Sequence, residues 1–160
     1  MSKQVKPLCY EPTTMQRGIT NSMLNSESRK LPQISKQITE AQIVEYANVS
    51  GDKNPLHLDA SFAETTDFGA RIAHGMLTLG FISEMMVAEF GISWITTGSL
   101  RVRFKGPAYI GDKVATIGQI TSKTESDEHN LIECSVGIIN QETNEPIITG
   151  IARVQVNISE

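Results

Sequence analysis

HGMLTLGFISEMMVAEF, residues 74–90, decides the reading of the fold. Its apolar residues fall on nearly every face of a helical projection, and Gly91 follows where such a helix stops. A helix that is apolar on most faces is a buried helix, and a glycine just past its end is a stop signal. Gly80 and Ser83 lie three apart on it, small enough to admit another backbone closely. After Gly91 the period changes to two. SLRVRF (99–104), KVATIGQI (113–120), HNLIECSVGII (129–139) and PIITGIARVQVNI (146–158) read as strands. Gly111-Asp112 and residues 142–145 mark turns, and SKTESDEHN (122–130) reads as a polar connection. No helix separates the later strands, so the sheet is expected to be antiparallel. The fold class is α+β: an antiparallel sheet curled around one central helix.

Upstream, residues 1–30 are polar and carry Pro7, Pro12 and Gly18, which suggests an irregular arm ahead of a single domain over 31–160. LPQISKQI (31–38) alternates weakly, as an edge strand would. Thr39-Glu40-Ala41-Gln42 is a capping box, and Ile43, Tyr46 and Ala47 follow on one face. With Gly51 at the left-handed C′ position, a helix over about 40–49 ends just before Asp52. Asp59 is placed to cap a second short helix near 60–66. Residues 92–99, ISWITTGS, fit no element, and Trp94 reads equally as packing or as substrate contact.

A chain of 160 residues suits one domain with a real core. A net charge of −4 argues against a nucleic-acid partner, which would need a basic face. Arg101, Arg103 and Lys105 do alternate closely, as a solvated strand face or a phosphate contact would. Two distant cysteines, Cys9 and Cys134, make neither a disulfide framework nor a metal knuckle. The N-terminus has no apolar secretory core, and no apolar run approaches the ~18 residues that span a membrane. A cytoplasmic protein without membrane contact is expected.

SGDKNPLHLDASF (50–62) carries the chemistry. Gly-Asp-x-Asn-Pro is good turn composition, and a histidine among Leu56 and Leu58 is satisfied as a structural residue. The other reading is that the turn aims Asp52 and His57 into one cleft as an acid–base pair. His74-Gly75, opening the buried helix, offers free N–H groups and a partial positive charge to a ligand oxygen; a plain helix start reads the same way. The three histidines show no HExxH, so no metal is expected, and there is neither a GxSxG elbow nor a phosphate loop. No cofactor is implied. Met76, Met85 and Met86 read as core, although thioethers also suit an acyl-chain pocket.

YANVSGDKNPLHLDASFAETTDFGARIAHGML (46–77) resembles the signature region of the MaoC-like dehydratases, which include (R)-specific enoyl-CoA hydratases and 3-hydroxyacyl-thioester dehydratases. FKGPAYIGD (104–112) resembles a second feature of that family, and the likeness spans roughly 31–158. The resemblance implies a hotdog fold that pairs through its sheets into a homodimer or higher homo-oligomer. It implies reversible hydration of acyl-CoA or acyl-carrier-protein thioesters in fatty acid metabolism. By position it makes Asp52 and His57 the catalytic pair and the Gly75 amide the donor to the thioester carbonyl. Ser83 becomes a supporting serine, Asn54 a positioning residue and His74 a structural one. A hotdog thioesterase, or a binding module without catalysis, competes with this reading.

Overall fold

The computed structural model describes residues 29–127 and 129–157. All but the last two residues of the expected N-terminal arm lie outside them, as does Cys9. A short edge strand β1 (Ser35–Gln37) precedes helix α1 (Glu40–Ser50). Two single-turn helices follow, α2 (Pro55–Leu58) and α3 (Ala60–Glu64), then the long α4 (Gly75–Phe90) and α5 (Ile92–Thr97). Strands β2 (Ser99–Phe104), β3 (Lys113–Glu125), β4 (His129–Asn140) and β5 (Pro146–Asn157) complete the chain. They form one antiparallel sheet in the order β1-β3-β4-β5-β2. Arg29 to Leu31 run beside β3, where the Ile120 amide donates to the Arg29 carbonyl and the Leu31 amide to the Gly118 carbonyl.

The sheet packs on α4. Phe81, Ile82, Met85 and Met86 of the helix are buried against Ile132, Cys134, Val136 and Ile138 of β4 and Ala152 and Val154 of β5. This is the hotdog arrangement. The small-residue notch on α4 is not used by another backbone among the described residues: Gly80 faces open space. Ser83 instead accepts a hydrogen bond from the Trp94 indole at 3.0 Å.

The caps form as the residue pattern requires. The Thr39 hydroxyl accepts from the Gln42 amide, the Gln42 side chain accepts from the Thr39 amide, and Gly51 takes the left-handed conformation at φ 79°. The differences are local. The Asn54-Pro55 turn is also a helix start, because Asn54 caps α2 and proline suits the first helical position. Residues 92–97 form α5, held by buried Trp94. The expected connection 122–130 is largely strand: β3 runs on to Glu125 past a bulge at Ile120/Ser122, and Ser122, Thr124 and Glu125 are exposed there. Lys105 falls beyond the end of β2, so only Arg101 and Arg103 share that strand. No helix among the described residues is long and apolar enough to cross a membrane.

Ile82 is fully buried while Val87 on the same helix is 38% exposed. Ile82→Ala is expected to lower unfolding free energy by about 2–5 kcal/mol, and Val87→Ala by less than about 1 kcal/mol, in urea titrations.

Burial raises the Cys134 thiol from its ordinary 9.0 to about 12, with Glu133 adding to the rise and Arg29 opposing it. The native state therefore keeps a proton that the unfolded chain releases first. Stability from this group is complete below pH 9.0 and falls as pH climbs toward 12. The urea midpoint should drop more steeply above pH 9.0 in the parent than in Cys134→Ala. Parallel curves would refute this.

Candidate active site

Gly51 turns the chain out of α1, and Asp52 follows on an exposed loop. The Asp52 amide donates to the Ser50 hydroxyl, and the Asn54 amide donates to Asp52 Oδ1, both at 3.2 Å. Asn54 Oδ1 accepts from the Leu56 amide at 3.0 Å, so this oxygen shapes the start of α2. One turn of helix then carries His57 inward, where it is 8% exposed. The His57 ring bonds through Nδ1 to the Ile72 carbonyl at 2.8 Å. A carbonyl can only accept, so Nδ1 carries the hydrogen and Nε2 is left for chemistry.

The two expected partners do meet. The Asp52 carboxylate and ring nitrogens of His57 and His74 present atoms within 4.8 Å of one another. No direct hydrogen bond joins the side chains of Asp52 and His57 among the described residues. Two hydrogen bonds of about 2.8 Å meeting at a tetrahedral water span roughly 4.6 Å, which lies within that 4.8 Å limit. The His57 and His74 rings stack at 3.8 Å between centroids and 30° between planes.

His74 is the N-cap residue of α4, and Gly75 opens the helix. The Gly75 and Met76 amides have no protein partner among the described residues, as expected of a first turn. Gly75, His57 and Thr78 line a cavity of about 350 Å³, walled by Phe68, Ile72, Ala73, Phe104, Pro107 and Ala108. Two larger depressions, of about 560 and 610 Å³, contain neither Asp52 nor His57. The smaller, mainly apolar cavity has His57 and Gly75 at its wall, while Asp52 is not among its lining residues. Ser83 is not part of that wall; it lies eight residues beyond Gly75, about 12 Å along the axis.

Three contributors escaped the sequence reading. Ile72 acts through its carbonyl, which no side-chain pattern reveals. Thr78, 2% exposed, lines the cavity and donates to the Gly75 carbonyl at 2.7 Å; a hydroxyl in the first turn of an apolar helix was the available signal. Phe104 lies against Gly75, so that a β-carbon there would meet its ring at 2.8 Å.

Residues 24–142 match the family model described as MaoC like domain. The chain belongs to the MaoC-like dehydratase family, and is a hydro-lyase. It is 30% identical over 123 residues to the 3-hydroxybutyryl-CoA dehydratase of Methylorubrum extorquens, covering 77% of this chain and 76% of the relative. It is 37% identical over 93 residues to the (R)-specific enoyl-CoA hydratase of Aeromonas caviae, covering 58% and 69%. The solved (R)-hydratase from A. caviae involved in PHA biosynthesis superposes with a TM-score of 0.70 at 29% identity, covering 82% of this chain and 96% of that one. The MaoC-like chain thus shares both fold and signature region with hydratases and dehydratases of acyl thioesters.

Gly75→Ala should leave the fold intact, because Phe104 is 53% exposed and its ring can swing away. The added methyl intrudes where the cavity meets the free amide. Turnover is expected to fall at least tenfold with the melting temperature nearly unchanged, read by enzyme assay beside calorimetry.

Proposed function

We propose that this chain catalyses the reversible syn hydration of trans-2-enoyl thioesters to (R)-3-hydroxyacyl thioesters, with acyl-CoA or acyl-carrier-protein substrates. The observation that carries the proposal is the 4.8 Å grouping of Asp52 with His57 beside the cavity that Gly75 lines.

The thioester carbonyl accepts from the Gly75 amide, at the positive end of α4, which makes C3 electrophilic. A water held between Asp52 and His57 attacks C3. Asp52 takes the proton from this water, and His57 Nε2, in the imidazolium form, delivers a proton to C2. The Ile72 carbonyl holds Nδ1–H throughout, and that bond strengthens when the ring is charged. Proton transfer from Asp52 back to His57 resets the site. Both groups serve one side of a flat enoyl unit, so addition is syn. Dehydration runs the same steps backward.

The functional unit is a homodimer or a higher homo-oligomer. Among the described residues no strand pairs with the outer side of edge strand β2, which leaves N–H and C=O groups there for a partner. Phe104, at the end of that strand, lines the cavity yet remains half exposed, so a partner along β2 would close the cavity wall. The reaction needs no bound cofactor, and the protein works in the cytoplasm.

The test is loss of the conjugated enoyl absorbance of crotonyl-CoA, followed by chiral analysis of the product. Asp52→Asn and His57→Ala should each lower kcat by about 10²-fold or more while staying folded. Full activity in either variant, or release of free thiol in place of hydration, would sink the assignment.

A further inference from the structure

The HG dipeptide contributes more than a helix start. His74 is 1% exposed and caps nothing with its side chain. Its ring nevertheless touches both proton-handling residues. Nε2 bonds to the main-chain carbonyl of Asp52 at 3.0 Å, across 22 residues of sequence. One ring face lies on His57 at 3.8 Å, and Tyr46 of α1 leans on the ring at 4.8 Å. Nδ1 is buried without a partner, consistent with the tautomer in which Nε2 carries the hydrogen and donates it.

Each contact restrains one of the two groups. Asp52 sits on an exposed loop, and its other hydrogen bonds reach only two residues away, to Ser50 and Asn54. Those bonds shape the loop but do not locate it. Among the described residues, the His74 bond is the one that ties Asp52 to a distant part of the chain. His57 is held by a single ring hydrogen bond, to Ile72. One bond leaves the ring free to rock about its axis, and the face of His74 blocks that motion. His74 also immediately precedes Gly75, which lines the cavity.

We propose that His74 is a positioning residue that registers Asp52 and His57 against each other and against the Gly75 amide. This rests on the reading of Asp52 and His57 as the acid–base pair. The ring therefore has two separable arms, a donor for the Asp52 loop and a flat face for His57. His74→Gln keeps an N–H donor and loses the face. His74→Phe keeps the face and loses the donor. A displacement of about 1 Å in a reacting group is enough to cost on the order of 10²-fold in rate.

The experiment measures crotonyl-CoA hydration by the full chain and by both variants, with Asp52→Asn and His57→Ala beside them. Long-range ¹H–¹⁵N imidazole spectra of the parent and variants complete it. Each His74 variant is expected to lose about tenfold or more in kcat, with KM within about threefold and a folded circular-dichroism spectrum. The parent spectra should show His74 with its hydrogen on Nε2 and a hydrogen on Nδ1 of His57. The His57 ring signals should shift in both variants. Parent-like kcat per folded molecule in both variants would overturn the proposal, as would a His74 hydrogen on Nδ1. A parent inactive on every enoyl thioester, with the expected tautomers and shifts, would refute the acid–base reading and leave the positioning intact.

Discussion

The Ala73 amide donates to the Ala108 carbonyl at 2.8 Å, and the neighbouring Ile72 pairs with Tyr109 as an isolated bridge. These bonds hold residues 72–75 straight against the 107–109 segment. Every group proposed to handle protons or to bind the carbonyl is then referred to that strip. The Ile72 carbonyl orients His57, the His74 ring holds Asp52 and backs His57, and Gly75 offers its amide. The strip therefore works as a ruler of four residues, with the proposed chemistry measured from three of them, Ile72, His74 and Gly75.

Such a ruler needs a rigid mount. α4 supplies it, because Ile82, Met85 and Met86 are fully buried and the helix cannot shift without opening the core. The same helix begins with Gly75 at the wall of the mainly apolar cavity, and its first-turn amides are unpaired among the described residues. Asp52 stands apart from this. It is exposed, on a loop, and depends on neighbours to stay in register. The site thus joins a rigid half, built on α4, to a half carried by the turn after α1.

Much of this could be read from residue types. The buried helix, the capping box, Gly51 as terminator and most strands follow from local pattern, because each depends on neighbours within a few residues. The departures share a cause. α2 hid inside a turn because Asn-Pro signals both a turn and a helix start, and only packing of His57 decides. Residues 122–125 lack an apolar alternation because that end of β3 runs past the core; they are strand because β4 pairs with them. Ser83 has a local partner in Trp94, which no pattern in 92–99 announced.

The sequence by itself determined the fold class and brought Asp52, His57 and Gly75 forward as the residues to watch, since their types and spacing are local properties of the chain. Tertiary structure decided how they act together. It put the Asp52 carboxylate and a His57 nitrogen within 4.8 Å of each other, chose the Ile72 carbonyl as the partner of His57, and laid His74 between the two. Those contacts join residues 15 and 22 apart through main-chain carbonyls and ring faces. Every residue has a carbonyl, so side-chain identity alone could not have singled these out.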